Sequence, residues 1–404
     1  MKLEIEKLGY LGDGVAPGPV IVRRALPGEL VEGEVKKGIL AAPRILVASP
    51  ERVRPPCPKF HLCGGCVLQH GSDTLVAGWK RGLVVHALGV QGITAEVLPT
   101  VASPPNSRRR AAISARRTRK GVCLGFHGRA SGMIVPIEKC TVLHPDLLAA
   151  LPALEQIARI GASRKCEIRF TITRTLSGVD VLTEGGKPLD PALREMLAEM
   201  VMEHGLARLI WGNEPIATLS PPRVRFGRAD VELPPGAFLQ ATEHGEKTLV
   251  SAVSEAVSDA RCIADLFAGC GTFALSLAER AKVHAVEGCA EMLGALESAW
   301  RVSAGMKRVT VEHRDLFRNP VPAEDLAGFD AVVVDPPRAG AEAQIHEIAK
   351  AHVRVVALVS CNPVTFARDA RILKAAGYRI GPVLVVDQFR WSAHVEIFAR
   401  FTLA

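Results

Sequence analysis

At 404 residues, with 48% hydrophobic and 23% charged side chains, the chain has the make-up of an ordinary soluble globular protein with room for two or three domains. Its formal charge of +8 suits a polyanionic partner without identifying one. No run has the length of a membrane span and the start, Met1 to Lys7, has no apolar signal core, so a cytoplasmic monomer without a membrane partner is expected; its ten cysteines are then thiols, metal ligands or a nucleophile in preference to disulfides.

Residues 1–53 alternate short β-like runs (Leu3 to Leu8, Val20 to Val22, Leu30 to Lys36) with glycines at 9, 12, 14 and 18, which predicts a small five-stranded barrel of the OB type. Next, Cys57, Cys63 and Cys66 stand among Gly64 and Gly65 like three corners of a tetrahedral thiolate site that needs a fourth ligand from elsewhere. Such ligation suits a [4Fe-4S] cluster or zinc, and spacing does not separate them; His61 and His70 are a lesser zinc alternative. Between Arg108 and Lys120 lie seven cations in thirteen residues, read as a strand from Arg110 to Arg116 that contacts RNA phosphates on one face; a solvated surface strand is the alternative. From 145 to 235 an α+β segment is expected, with helices at Leu147 to Ile160 and Pro191 to His204 and paired strands at Cys166 to Thr173 and Val179 to Thr183. It ends at Leu233-Pro234-Pro235-Gly236-Ala237-Phe238-Leu239-Gln240, where the Gln240 amide offers a donor and an acceptor to a base edge or to a cofactor. The predicted units are therefore 1–53, 54–235 and 236–404.

From 236 onward strands and helices alternate, the mark of an α/β, doubly wound, mostly parallel sheet. Three apolar runs end in chemistry: Ile263 to Leu266 in the turn Phe267-Ala268-Gly269-Cys270-Gly271-Thr272, Phe329 to Val334 in Asp335-Pro336-Pro337-Arg338, and Val353 to Val359, interrupted by Arg354, in Ser360-Cys361-Asn362-Pro363. Ligands of open α/β sheets bind at this carboxyl edge, so Cys361 is either a nucleophile or a packed core thiol, and Asp335 is a carboxylate on a stiff turn. Glu287 ends a further strand, where it can accept ribose hydroxyls, and Asp315 follows another, within reach of an adenine edge. A glycine turn, two acids and Asp-Pro-Pro describe an adenosine cofactor without a pyrophosphate, hence S-adenosylmethionine in preference to NAD.

These motifs, with His394-Val395-Glu396, resemble those of the RNA uracil-C5 methyltransferases. The resemblance implies a class I S-adenosylmethionine-dependent methyltransferase domain with a seven-stranded sheet and an antiparallel last strand. It also implies that Leu11 to Ala16 opens a TRAM-like barrel. Cys361 is then the nucleophile and Glu396 the base; Gln240, Phe267, Thr272, Glu287, Asp315 and Asp335 hold the cofactor or the ring. Cys140 becomes the fourth ligand with Cys57, Cys63 and Cys66, and a [4Fe-4S] cluster is expected because the branch acting on 23S rRNA carries one with this cysteine arrangement. Transfer RNA is the alternative substrate, and a non-catalytic RNA-remodelling module the alternative role. The chain departs from the family in four places: Ala241-Thr242 stand where Val-Asn usually follows the glutamine, Arg390-Trp391 follow Phe389 where proline is usual, Cys270 stands where Val or Asn is common, and the segment after Cys66 is shorter than usual.

Overall fold

The computed structural model describes residues 1–119, 121–164 and 166–403, so Lys120, the last cation of the basic run, lies outside the described residues. At the start, seven short strands form sheets of three and four around Leu3, Ile5, Val20, Val22, Val31 and Leu40, more strands than the five expected. The run Leu3 to Leu8 is two strands, Lys2–Glu4 and Lys7–Leu8, because the chain changes partner between them: the Ile5 N–H donates to Glu29 O (3.0 Å) and the Glu6 N–H to Val15 O (2.9 Å). Gly14 is required at this crossing, since a Cβ there would stand 2.9 Å from both Ala25 O and Ile5 Cγ2.

The middle of the chain builds a seven-stranded sheet, in which Ile168–Thr175 and Gly178–Glu184 pair antiparallel. Helices Leu151–Gly161 and Pro191–His204 bury Leu154, Ile157, Leu197 and Val201 with Ile113, Phe170, Ile172 and Val181 of the sheet. The expected helix Leu147 to Ile160 is broken into Pro145–Ala149 and Leu151–Gly161, as Pro152 has no N–H to continue the ladder.

The basic run forms the expected strand, but its arginines do not all face outward. Strand Arg110–Thr118 turns Ala111, Ile113 and Ala115 into the core, and the arginines before them turn inward as well. Buried Arg109 pairs with Glu246 and donates from Nε to Gln240 O at 3.0 Å; Arg110 donates to Gly236 O at 3.1 Å. These two arginines brace residues 236–246, and the exposed cations of the run are Arg116, which pairs with Glu167 at 3.1 Å, Arg117 and Arg119. Alternation alone could not show this, because what draws the guanidinium groups inward is a carboxylate and two carbonyls some 125 residues or more away in the chain.

The last part is the expected α/β sheet, but with nine strands instead of seven. Val309–His313, Lys282–Glu287, Cys262–Leu266, Ala331–Val334 and Val355–Ser360 run parallel in that spatial order, and Glu396–Leu403 pairs antiparallel with Val355–Ser360. The extra strands are Tyr378–Ile380 and, from much earlier in the chain, Val101–Ala102, which pairs with Leu384–Asp387. Helix Asp73–Val90 comes with it: Ser72 caps its N-terminus, accepting from the Leu75 N–H at 3.0 Å, and Val84, Ala87 and Leu88 join the core beneath helix Pro363–Ala375.

That helix also buries a charge. Lys80 Nζ, 0% exposed at its side chain, reaches Asp387 Oδ1 at 2.5 Å, Phe389 O at 3.1 Å and His394 O at 2.8 Å. It therefore ties down both ends of the loop that leads to Glu396. Lys80→Met would leave the Asp387 carboxylate buried without its cation, so a loss of about 3–5 kcal/mol is expected in urea unfolding, far beyond a surface lysine substitution.

Candidate active site

The central strands Cys262–Leu266, Ala331–Val334 and Val355–Ser360 are buried along almost all of their length, and polar groups follow where they end. Val355–Ser360 gives way to Cys361, and Asn362 caps the next helix, accepting from the Val364 N–H at 3.1 Å. The Asn362 amide also donates to Arg338 O at 3.1 Å, which fastens the Cys361 turn to the Asp335-Pro336-Pro337-Arg338 turn. At the glycine turn Phe267 is held at φ 64°, a left-handed backbone that costs a non-glycine residue about 1–3 kcal/mol and clusters at ligand sites. Gly271, at φ 98°, has no room for a Cβ, which would meet Leu275 and Leu296 at 2.8–2.9 Å.

These ends open on one cavity of about 440 Å³. Of the residues expected at the site, Gln240, Phe267, Glu287, Asp315, Asp335, Cys361 and Glu396 line it, and Thr272 does not. Phe238, Met292, Phe317 and Arg338 line it too, without having been singled out from sequence. Phe238 had a signal, lying two residues before Gln240 and so on the same side of an extended segment. Met292 and Phe317 had none, since they sit on a helix and a loop that only the fold brings to the mouth.

Glu287 is held by two backbone amides: Gly269 N–H donates to Oε2 and Cys289 N–H to Oε1, each at 2.9 Å. Each oxygen keeps a free lone pair, which suits a pair of vicinal hydroxyls. Asp315 accepts from the Phe317 N–H at 3.0 Å, and the Phe317 ring lies 5.4 Å from that of Phe267. The half of the cavity between Glu287 and Asp315 is thus acidic and aromatic, as a nucleoside requires.

At the other half the acids are destabilised as anions. Burial pushes the Asp335 carboxyl up to about 7, although Gln240 donates to Oδ2 at 3.2 Å. Burial and then Asp335 push Glu396 up to about 8, with the Gln388 amide opposing. The Cys361 thiol is driven up to about 11 by burial, Glu396 and Asp335, against the pull of Arg338. Beneath them Asp265 is fully buried and also pushed well upward by burial, Asp335 and Glu287. Buried carboxyls that titrate near neutrality are suited to proton transfer.

The cysteines of the second segment are also neighbours. Burial, then Cys140, Cys63 and Cys57, push the Cys66 thiol up to about 12. Gly64 packs its backbone against His127 O, where a Cβ would stand at 2.9 Å. The donor chemistry is therefore all-thiol, as a thiolate-bound metal or cluster needs. Among the described residues, however, no three His, Cys, Asp or Glu side chains converge in a metal-holding group. His70 is buried against the Phe60 ring, 5.4 Å away, with Arg52, Glu29 and Arg24 as its main charged neighbours in place of the thiols.

Residues 298–400 match the family model described as tRNA (Uracil-5-)-methyltransferase. An uncharacterized RNA methyltransferase of Rhizobium meliloti is 46% identical over 98% of this chain and 97% of its own. The 23S rRNA (uracil(1939)-C(5))-methyltransferase RlmD of Pectobacterium atrosepticum is 30% identical over 99% of this chain and 93% of its own. In fold, the chain is similar to the tRNA (uracil-54, C5)-methyltransferase of Pyrococcus abyssi, solved with S-adenosyl-L-homocysteine, at a TM-score of 0.77 and 24% identity over 100% of this chain and 99% of that one. No helix among the described residues is long and apolar enough to cross a membrane. With such identity sustained along nearly the whole of both chains, the protein belongs to the S-adenosylmethionine-dependent RNA uracil-C5 methyltransferases.

Proposed function

We propose that this chain methylates C5 of a uridine in 23S ribosomal RNA, with Cys361 as nucleophile and Glu396 as base. The observation that carries the reading is that a thiol and a raised-pKa carboxyl open on the same cavity as a nucleoside-suited acid and aromatic pair. The Cys361 thiol releases its proton to water as its sulfur adds to C6 of the ring, and the C5=C6 electron pair moves toward O4 to make C5 nucleophilic. S-Adenosylmethionine supplies an electrophilic methyl for C5 and a positive charge for a cavity that holds Asp335 and Glu396. Glu396 then removes the C5 proton, the C5=C6 bond re-forms, and the C6–S bond breaks with its pair returning to sulfur. Asp335, oriented by Gln240, is the hydrogen-bonding group for the ring. Exposed Phe238 at the mouth gives an extruded base an aromatic surface, which helps offset about a few kcal/mol of unstacking. The reaction belongs to the cytoplasm and needs one protomer.

The reading extends to a [4Fe-4S] cluster on Cys57, Cys63, Cys66 and Cys140, supported by the electrostatic proximity of the four thiols; zinc is the other ion that takes four thiolates. Protein purified without oxygen should be brown and carry iron. A colourless, zinc-loaded and fully active preparation would refute the cluster.

The choice of ribosomal RNA is supported by the relative from Pectobacterium atrosepticum, against a family model named for tRNA. The test is to incubate 23S RNA and tRNA from a strain lacking this gene with the protein and labelled S-adenosylmethionine, then digest to nucleosides. Label in 5-methyluridine from 23S RNA is expected. Label from tRNA alone would keep the chemistry and overturn the target, and label in another methylated base would overturn both.

A further inference from the structure

Gln388 lies between the two halves of this chemistry, yet no motif marks it. Its side chain is buried, with Nε2 donating to Gln240 Oε1 at 2.6 Å and Oε1 accepting from the Thr242 N–H at 3.4 Å. Gln240 passes the sense of the bond onward, donating from Nε2 to Asp335 Oδ2 at 3.2 Å. Val386, two residues before Gln388, stands in register with Glu396 on the neighbouring strand, and the Gln388 amide favours the charged form of the Glu396 carboxyl. Asp335, Gln240 and Gln388 thus form one buried chain beside Glu396, in which reversing either amide would set like groups against each other.

The chain is anchored at each end of the fold. Arg109 holds the Gln240 carbonyl at 3.0 Å, and Lys80 holds Asp387, the residue before Gln388, at 2.5 Å. Helix Glu243–Ala256 presses on it: a Cβ on Gly245 would lie 2.8 Å from Gln388 Cβ and 3.0 Å from Oε1. The groups facing Glu396 from the neighbouring strand ends are Asp335 and Cys361; Arg338 acts on Cys361 and on His394, which precedes the base by two residues. Of the neighbours acting on Glu396, Asp335 opposes its charge and Gln388 favours it.

We propose that Gln388 is a positioning residue for the elimination step, holding the Glu396 carboxyl toward C5 and coupling it to Gln240 and Asp335. This rests on Glu396 being the base. The amide stabilises the carboxylate that must take the C5 proton, and without it that carboxylate forms at higher pH.

Gln388→Met keeps the side-chain length and removes the donor. Turnover on the RNA that accepts label should fall about 10-fold at pH 7 and recover by pH 9, with the covalent protein–RNA adduct accumulating at pH 7. Gly245→Ala, which keeps the amide and crowds it, should shift the profile the same way by less, and it carries the test if Gln388→Met does not fold. An unshifted profile, or a loss equal at every pH without adduct, overturns the proposal. Glu396→Gln is the control: if it traps adduct while Gln388→Met behaves as wild type, only the role of Gln388 is refuted. If Glu396→Gln traps none, the base assignment fails and this role falls with it.

Discussion

Cys361→Ala is expected to abolish methyl transfer, with label in RNA at background and no covalent adduct on a denaturing gel. Without sulfur addition at C6 the ring carbon is too poor a nucleophile, and no other residue lining the cavity carries a thiol. The fold should survive within about 1 kcal/mol, because the side chain is only half-buried and the Asn362 cap and its bond to Arg338 are untouched. Removing the thiol also spares Asp335 and Glu396, so binding of S-adenosylmethionine measured by calorimetry should stay near wild type. Measurable multiple turnover would assign the nucleophile elsewhere.

Glu396→Gln should have the opposite signature: turnover lowered by about 10²–10⁴-fold, with protein trapped on RNA. Addition and methylation need no base at Glu396, but elimination does, so the enzyme stalls on methylated substrate. The same variant should show a pH-dependent gain in stability. The wild-type carboxyl titrates near 8 when folded against an ordinary value of 4.5, so its contribution is fully present below pH 4.5 and is lost as pH rises through about 8. Glutamine has no such loss. Thermal melts of variant and wild type should therefore nearly coincide at pH 4.5 and diverge at pH 9, where the variant gains at most about 5 kcal/mol. A variant that turns over normally, or that melts with the wild type at pH 9, would place Glu396 outside this role.

The strand ends were readable because each is a local pattern. A buried apolar run followed by Gly-x-Gly, Asp-Pro-Pro or Cys-Asn-Pro breaks the ladder at a defined point, and in a parallel sheet such points share one edge. Glu287 and Asp315 followed from the same logic. Thr272 did not, since facing a cavity depends on where a turn aims a side chain, and the structure lines the cavity with Phe267 and Gly269 instead. The inward turn of Arg109 and Arg110 was not legible because charge density reads as surface until a buried partner is known, and Glu246 with the 236 and 240 carbonyls is that partner.

What the amino-acid sequence determined by itself is therefore the type of sheet, the order of its chemical strand ends and the close spacing of Cys57, Cys63 and Cys66, all of which rest on patterns within a few residues. The tertiary structure alone decided that helix Asp73–Val90 and strand Val101–Ala102 complete the last sheet, that Lys80 pins the loop before Glu396, and that Gln388 bonds to Gln240. Those partners are 148 to 314 residues apart or meet across separate strands, and a buried hydrogen bond between distant residues leaves no period in the sequence, only a polar side chain whose burial the packing determines.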